Sequence, residues 1–398
     1  MSADLLEGAR ALSDRIVALR RAIHAEPELG LHTPKTRDKV RAALAHLPLD
    51  WREGPSTTGL VATLKGAAGE GRTVLLRGDM DALPMPEETG LPFASTIPGA
   101  MHACGHDTHT AMLAGAAELL CGMRDQLSGT IQFMFQPGEE GYHGARFMLD
   151  DGLIDPLPDA AFALHIMPDS PHGLVAGRAG ALMASADQFD IVVEGRGGHA
   201  SMPHQTRDPV PVACEIVTAL QAMVTRKFPV SDPVVVTVAR IEAGTAHNVI
   251  ADRASLKGTM RTLSPGNRTR LHHEIERLAT LIAAAHDMTA AVRIEQGFPV
   301  TVCDERAVAL GEAVVEALAG PGKFHRLSHP IMGAEDFSYV LEKAPGAMFF
   351  LGVSHEGDDW RQCCGIHSTR MMVDESVLPL GTALLAGCAT RFLKEGFA

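Results

Sequence analysis

Cysteine and histidine side chains are concentrated in residues 102–109, a segment with the sequence HACGHDTH. Thiolates and imidazoles bind zinc and related metals, and a metal site needs several such ligands to converge. The segment holds four candidate ligands, which are His102, Cys104, His106 and His109. A helical pattern follows from about residue 108. The alternative interpretation is therefore structural: the histidines would cap this helix, and the cysteine would be buried.

Three predicted strands in the first half of the chain are followed at once by acidic or histidine side chains. These strands are the apolar runs 73–77, 130–135 and 160–164. The polar residues that follow them are Asp79, Asp81, Glu139, Glu140 and His165. Ligands of open α/β sheets bind beyond the carboxyl ends of the strands. The three strand ends therefore favour a metal site over helix capping for residues 102–109.

The adjacent acids Glu139 and Glu140 follow a Pro-Gly turn where the second strand ends. Neighbouring side chains on a strand point to opposite faces, so one glutamate could bind metal while the other accepts a proton. A bound metal lowers the pKa of water from about 15.7 toward about 7, and a carboxylate can carry the proton to a leaving amine. Two solvated acids in a loop are the alternative.

A thiol nucleophile is the competing chemistry for this set of residues. Cys104 would need a basic histidine, for which His106 is the candidate, and an oxyanion hole. This mechanism leaves the glutamate pair, His165 and His367 without a role. Metal-activated water is therefore the favoured interpretation.

The elements that must position these side chains alternate between helix and strand. Helical spacing of apolar residues covers 4–24, 36–47 and 108–123. Buried apolar strands separated by helices predict an α/β fold with a mostly parallel sheet. The same pattern resumes after residue 298, with a helix at 305–319, a strand at 347–351 and a helix at 375–394.

The middle of the chain has a different rhythm, with the order β-α-β-β-α-β of a ferredoxin-like sandwich. The predicted elements are 189–194, 209–226, 234–241, 254–261, 265–286 and 290–294. Ser264 is the expected N-cap of the long helix, with Pro265 at its first position. We therefore predict a discontinuous α/β catalytic domain, residues 1–182 and 298–398, with an α+β domain of residues 183–297 inserted into it.

Composition excludes several classes of protein. The chain has 398 residues and a net charge of −13 without a long basic run, which is a poor match to nucleic-acid binding. Its N-terminus lacks a secretory pattern, and its uncharged apolar runs are shorter than the ~18–20 residues of a membrane span. Seven scattered cysteines are an odd number and do not form a disulfide framework, so a cytoplasmic location is expected.

Seven segments together carry a resemblance to a known family. They are 24–29 (HAEPEL), 77–84 (RGDMDALP), 101–109 (MHACGHDTH), 136–141 (QPGEEG), 197–204 (GGHASMPH), 247–250 (HNVI) and 333–337 (GAEDF). With these, the chain resembles the aminoacylase and carboxypeptidase-like dinuclear metallopeptidases over nearly its full length. It is most similar to their hippurate hydrolase and indole-acetyl-amino acid amidohydrolase branch.

The resemblance implies specific roles for several polar residues of the catalytic domain. The implied ligands of two divalent ions per chain are Cys104, His106, Glu140, His165 and His367. Glu139 would be the general base and later the proton donor. Asp81 would orient a metal ligand without binding the ion itself. Zinc or manganese is expected, with cobalt or nickel as alternatives, because mixed N/O/S sites accept all of them.

The inserted domain would also contribute to the site. The resemblance implies that His199 stabilises the oxyanion of the reacting carbonyl. In relatives this histidine comes from the partner subunit, so a homodimer or homotetramer through the inserted domain is implied. Asn248 and Arg261 are weaker candidates for binding the substrate carboxylate, which Arg can contact in a bidentate manner. A turn cap and a strand-edge ion pair are their alternatives.

One stretch departs from the family pattern. Relatives carry Leu-His-x-Pro around the last ligand, whereas residues 366–370 are IHSTR. The histidine is kept as His367, but the proline is lost and Arg370 is gained. His355 is a competing candidate for this ligand. The altered loop could change substrate specificity.

The leading hypothesis is an enzyme that hydrolyses N-acyl amino acids, hippurate-like or N-acetylated. A dipeptidase or aminopeptidase of the same fold is the alternative that keeps the chemistry and tolerates a free substrate amine. A non-catalytic metal-binding relative is a further alternative, and the intact Glu139 counts against it.

Overall fold

The computed structural model describes residues 2–397, and these residues divide into two compact units. Unit 1 consists of residues 2–182, 302–329 and 336–397, and unit 2 consists of residues 183–301 and 330–335. Unit 2 therefore extends past residue 297 and includes a short segment that the sequence interpretation had assigned to the other domain.

Within the described residues, ten α-helices are present, and most of them match a predicted helix. They are Ser2–Ala11 (α1), Ser13–His24 (α2), Pro34–Leu44 (α3), His106–Gly122 (α4), Gly144–Asp150 (α5), Pro209–Lys227 (α6), Pro265–Ala285 (α7), Glu305–Ala319 (α8), Ser338–Leu341 (α9) and Leu378–Glu395 (α10).

The same residues form sixteen strands. They are Asp50–Glu53 (β1), Leu60–Lys65 (β2), Thr73–Asp79 (β3), Thr130–Gln136 (β4), Ala160–Met167 (β5), Val175–Gly177 (β6), Gly180–Met183 (β7), Asp187–Glu194 (β8), Gly198–His199 (β9), Val234–Ala243 (β10), Val249–Ile250 (β11), Arg253–Thr262 (β12), Thr289–Glu295 (β13), Thr301–Cys303 (β14), Phe324–Arg326 (β15) and Gly346–Gly352 (β16).

Unit 1 is built on an eight-stranded sheet with the strand order β1-β2-β4-β3-β5-β16-β6-β15. The four central strands β4, β3, β5 and β16 run parallel, and β2 and β6 pair antiparallel to this block. The central strands are buried along nearly their whole length, as their continuous apolar sequences predict. The predicted α/β class with a mostly parallel sheet is confirmed.

Helices α4 and α10 pack together and against the sheet. Both are buried over most of their length, and small residues allow them to approach closely. By length and composition the segment Glu375–Glu395 could cross a membrane, but 83% of its apolar window lies buried inside the fold. A core helix of a globular unit has the same composition.

The single helix predicted over residues 4–24 is two helices, α1 and α2, separated at Leu12. The backbone of Leu12 has φ −92° and ψ −1°, which opens the helical turn at this residue. Its N–H still bonds to the carbonyl of Gly8, and its carbonyl accepts from the N–H of Ile16. The apolar period therefore continues across the break, which is why the sequence pattern does not reveal it.

Unit 2 is a four-stranded antiparallel sheet with the order β10-β12-β8-β13, packed against α6 and α7. Along β8, the buried residues Phe189, Ile191 and Val193 alternate with more exposed ones, so one face of the sheet forms the core. The side chain of Ser264 accepts a hydrogen bond from the N–H of Asn267, as expected of an N-cap. The predicted ferredoxin-like α+β insertion is confirmed.

Candidate metal centre

Parallel strands of unit 1 deliver acidic side chains and a histidine to one edge of the sheet. Strand β3 pairs with both β4 and β5, so the carboxyl ends of these three strands are neighbours. The side chains delivered there are Asp79, Asp81, Glu139, Glu140 and His165. The amino end of α4 brings Cys104 and His106 to the same place.

Gly105, between Cys104 and His106, shapes the turn that leads into α4. Its φ is +89°, a left-handed conformation that favours glycine. A Cβ at this position would lie 2.4 Å from Cγ1 of Ile166, which follows His165 on β5. The bare backbone is therefore required for the cysteine and histidine to reach the strand ends.

Cys104 and His165 are in direct contact, with 3.3 Å between Sγ and Nε2. The Nδ1–H of His165 donates to the carbonyl of Ile166 at 2.6 Å, which leaves the lone pair of Nε2 directed toward the cysteine. Burial lowers the pKa of His165 well below its usual value, and the nearby His109 adds to this effect. A neutral imidazole with a fixed tautomer is the form that binds a metal ion.

His106 is fully buried, yet neither ring nitrogen has a hydrogen-bond partner within residues 2–397. Its Nδ1 lies 3.5 Å from Oδ1 of Asp81, and its Nε2 lies 3.6 Å from Oδ2 of Asp79. Burial opposes a charge on His106, but the Asp79 charge together with the effects of Cys104 and Asp81 raises the pKa of the imidazole well above its usual value. A buried polar group without partners is costly, and a cation at this position would satisfy it.

The turn that carries Glu139 and Glu140 is held by Asp81. The N–H groups of the two glutamates donate to Oδ1 and Oδ2 of Asp81 at 2.9 and 3.0 Å. Oε2 of Glu139 lies 4.0 Å from Nε2 of His106, and the Glu139 side chain is nearly buried. Asp81 therefore fixes the backbone of both glutamates, in addition to its approach to His106.

His367 reaches the cluster from the loop before α10. Its Nε2 lies 3.3 Å from Oε1 of Glu140, and its N–H donates to the carbonyl of Ala103 at 2.6 Å. Contacts with Cys104 and Glu140 raise the pKa of His367 to about 10. The competing candidate His355 instead has its Nδ1 3.7 Å from Oδ2 of Asp374 and belongs to none of the ligand groups found among the described residues.

Four groups of potential ligand atoms overlap in unit 1. In each group the donor atoms lie within 4.8 Å of one another. The groups are Cys104 with His106 and His165, Cys104 with Glu140 and His367, His106 with Glu139 and Glu140, and Asp79 with His106 and His109. Since the first two groups share Cys104, the cluster offers two adjacent positions for a cation. Soft sulfur, imidazole and carboxylate donors together suit zinc and the neighbouring transition metals.

The other two histidines of residues 102–109 are placed differently. His109 donates from Nδ1 to Asp79 at 2.6 Å and accepts at Nε2 from the N–H of Ile166 at 2.8 Å, so both nitrogens are occupied. His102 is buried, and burial lowers its pKa to about 3, but it joins none of the ligand groups among the described residues. His109 also forms a group with Asp79 and His106, but because both of its nitrogens are hydrogen-bonded, Cys104 and His106 are the ligands retained from this segment.

A buried network beneath the cluster was missed by the sequence interpretation. Arg77 donates to Asp79 at 2.6 Å, to Gln136 at 2.9 Å and to Asp336 at 3.1 Å. Burial would raise the pKa of Asp79, but Arg77, His106 and His109 together hold it well below its usual range. Asp79 thus stays ionised and orients His109. An arginine two residues before an acid at a buried strand end was the available signal.

Unit 2 carries the remaining candidates. His199 is exposed on β9, and its Nδ1 accepts from the N–H and contacts the hydroxyl of Ser201 at 3.2 and 2.8 Å. Strand β11 pairs with β9, and the carbonyl of the exposed Asn248 accepts from the N–H of Ala200. Arg261 lies on β12, where its Nη1 donates to the carbonyl of Met260 at 3.0 Å.

Comparison with known proteins identifies relatives of this chain. Peptidase family M20/M25/M40 matches residues 75–391. Thermostable carboxypeptidase 1 of Saccharolobus solfataricus is 38% identical, covering 96% of both chains. IAA-amino acid hydrolase ILR1-like 2 of Arabidopsis thaliana is 38% identical over 98% of this chain and 88% of the plant protein. N-acetylcysteine deacetylase of Bacillus subtilis is 35% identical over 97% and 98% of the two chains.

A solved structure is similar over the same length. The YXEP protein of Bacillus subtilis, described as a dinuclear metal binding peptidase from the M20 family, superposes with a TM-score of 0.83. It is 32% identical, covering 97% of this chain and 99% of that one.

Proposed function

The chain belongs to peptidase family M20/M25/M40, a family of amide-bond hydrolases, and we propose that it cleaves N-acyl amino acids at a pair of divalent metal ions. The observation that carries this proposal is the overlap of two ligand groups at Cys104, with Glu139 beside them. The names of two relatives, a deacetylase of N-acetylcysteine and a hydrolase of IAA-amino acids, both describe an acyl group removed from an amino acid.

The proposed metal ligands are the five that the sequence indicated. Cys104, Glu140 and His367 would hold one ion, and His106 and His165 would hold the second ion with a share of Cys104. The unpartnered nitrogens of His106 and the oriented Nε2 of His165 support this assignment. When bound, the ions would polarise the substrate carbonyl and lower the pKa of the attacking water. Zinc and manganese are the first candidates.

Glu139 is the proposed general base. Its backbone is fixed by Asp81, and its carboxylate belongs to neither of the two ligand groups that contain Cys104. It would take a proton from the attacking water and then deliver it to the leaving nitrogen. Burial raises the pKa of the Cys104 thiol, which disfavours the competing mechanism in which this cysteine acts alone as a nucleophile.

Residues of unit 2 are proposed to bind the substrate. Because a backbone N–H donates to Nδ1 of His199, the neutral ring carries its proton on Nε2 and can donate to a developing oxyanion. Asn248 and Arg261 are proposed to bind the substrate carboxylate. We further propose a homodimer or homotetramer through unit 2 and a cytoplasmic location, which the seven free cysteines support.

A peptidase that acts at the carboxyl terminus of peptides is the second candidate. It is favoured by the relative named as a thermostable carboxypeptidase. Such an enzyme also cleaves an acyl–amino acid amide, but its acyl part is a peptide with a free amine. The two candidates therefore differ only in what the acyl pocket accepts.

The deciding experiment combines metal analysis with hydrolysis of hippurate, N-acetyl amino acids and dipeptides before and after chelation. About two divalent ions per chain are expected, with activity toward acyl amino acids lost on chelation and restored by metal. A preference for dipeptides would favour the second candidate. Activity that survives complete removal of metal would reject both and return Cys104 to consideration as the nucleophile.

A further inference from the structure

The loop that carries His367 is attached to a distant segment by a reciprocal pair of hydrogen bonds. The hydroxyl of Thr369 donates to Oε2 of Glu88 at 2.9 Å, and the N–H of Glu88 donates to the carbonyl of Thr369 at 2.8 Å. Both residues belong to unit 1, but 281 positions separate them in the sequence. We call this pair the Glu88–Thr369 clamp.

His367 needs such support because its backbone is strained. Its φ is +63°, a left-handed conformation that is uncommon for residues other than glycine. A strained residue of this kind persists only where the surrounding contacts hold it. The side chain is also half exposed, so packing alone does not hold the ring against Glu140.

The two flanks of His367 are both held by the same part of the fold. On one side, its own N–H donates to the carbonyl of Ala103, next to Cys104. On the other side, Thr369 is hydrogen-bonded to Glu88, which lies in the loop between Leu83 and Met101. An isolated β-bridge joins the two ends of this loop. The backbone of the candidate ligand is thus fixed before and after the strained residue.

The loop that carries Glu88, residues 83–101, is itself anchored in the core. The neighbouring Glu87 has a side chain that is only 3% exposed, and its Oε1 lies 3.1 Å from Nε2 of the buried His24. The N–H of Ser95 donates to its Oε2 at 2.7 Å. Glu87 therefore attaches this loop to the buried interior. The adjacent Glu88 binds the loop of His367 at the surface.

We propose that the Glu88–Thr369 clamp positions His367 as a metal ligand, so that Glu88 and Thr369 are positioning residues for the centre. Thr369 stands where the family pattern has a proline, which restricts the backbone covalently. Here a side-chain clamp supplies the restraint instead. This inference rests on the proposed function, since it requires a metal ion bound by Cys104, Glu140 and His367.

The test is a zinc titration of the metal-free protein by calorimetry, first for the wild type and then for the variants. Thr369→Val removes the hydroxyl at nearly constant shape, and Glu88→Ala removes its acceptor. Each should raise the dissociation constant of one of the two zinc ions about five- to tenfold, which corresponds to one lost hydrogen bond. Because the pair is exposed, the melting temperature of the metal-free variants should match that of the wild type.

Matched variants separate positioning from a general loss of charge or fold. Thr369→Ser and Glu88→Gln keep the donor and the acceptor, and both should bind zinc as the wild type does. Glu356→Ala removes an exposed acid from the same loop and should leave zinc binding unchanged. The double variant Glu88→Ala/Thr369→Val should bind zinc no more weakly than either single variant, because both substitutions remove the same hydrogen bond.

The outcomes distinguish the role of the Glu88–Thr369 clamp from the proposed function on which it rests. A wild-type protein that fails to bind zinc would overturn the metal centre and the clamp together. Normal zinc binding in the wild type, Thr369→Val and Glu88→Ala would leave the centre in place and reject the clamp. A loss of affinity in Thr369→Ser equal to that in Thr369→Val would also reject it, because the hydroxyl would then have no part.

Discussion

At the scale of single residues, the candidate centre depends on partners that restrict each side chain to one state. The ring of His165 is oriented by a backbone carbonyl, and the turn of Glu139 and Glu140 is oriented by Asp81. His109 shows the opposite case, because its two hydrogen bonds remove it from the pool of ligands. The chemistry of a histidine here is therefore decided by its second nitrogen.

Replacing Glu139 with glutamine tests the proposed base. The variant keeps the shape of the side chain and the backbone bond to Asp81, but it cannot accept a proton. We expect kcat to fall about 10²–10⁴-fold, with both metal ions retained. Steady-state kinetics and metal analysis on the same preparation check this. Activity within tenfold of the wild type would show that another group carries the proton.

Buried His24 should make stability depend on pH. Burial opposes its charge, but Asp107 at 2.9 Å and Glu87 at 3.1 Å outweigh this and raise the pKa of His24 to about 9. Since the usual pKa is about 6.5, the folded state holds its proton more tightly than the unfolded chain. The resulting stability is complete below about pH 6.5 and is lost as the pH rises through about 9.

The variant His24→Gln isolates this effect. Unfolding of the metal-free protein by denaturant should show the wild type losing up to about 3 kcal/mol between pH 6 and pH 10 relative to the variant. The difference between the two proteins removes the contribution of other titrating groups. Parallel stability curves for the two proteins would contradict a raised pKa for His24.

At the scale of elements, the site depends on where strands and helices end. The parallel strands β3, β4 and β5 place acids and a histidine at one edge, and α4 begins at the same edge with His106 as its first residue. A helix that begins one residue later would leave this histidine outside the helix. The turn at Gly105 sets that starting point.

Substitution of Gly105 by alanine tests the role of this turn. The new Cβ would meet Ile166 in a left-handed backbone conformation, and we expect a loss of about 3 kcal/mol in unfolding free energy together with weaker metal binding. Gly99→Ala is the matched control, since Gly99 has φ +75° and nothing within 4 Å of its built Cβ. Strain alone should cost it about 1 kcal/mol. Equal losses in the two variants would show that the contact with Ile166 is unimportant.

At the scale of the whole molecule, the proposed roles are divided between two units with separate cores. Unit 1 contains the candidate metal ligands and Glu139, and unit 2 contains His199, Asn248 and Arg261. The core of unit 2 is formed by its own buried apolar residues from the sheet, α6 and α7. An insertion with a complete core can fold without distorting the unit that receives it.

A mixing experiment tests whether His199 acts in the partner subunit. Glu139→Gln and His199→Ala homo-oligomers should each be nearly inactive. If His199 serves the partner's site, dissociation and reassociation of an equal mixture should restore about a quarter of wild-type activity in a dimer, because half of the dimers are mixed and have one complete site. No recovery, with mixed oligomers verified, would show that His199 acts within its own chain.

Much of the architecture was accessible from the sequence because its causes are local. The caps and apolar periods of α7 and the continuous apolar runs of β3, β4 and β5 specify these elements within about 20 residues. The outer strands β1, β2, β6 and β15, two on each side of the sheet, were not predicted. Their pairing comes from neighbours distant in the chain, and their sequences lack a strong period of their own.

For the candidate site, too, some features were accessible from the sequence and others were not. Its residue types and their placement after strands and before a helix were evident from the sequence, as was the family that they resemble. Only the tertiary structure decided that His109 is bound at both nitrogens, that Asp81 holds the backbone of the glutamates and that Glu88 holds Thr369. Each of these contacts joins residues that are far apart in sequence. Their geometry exists only after the sheet has aligned its strand ends, and no local pattern encodes it.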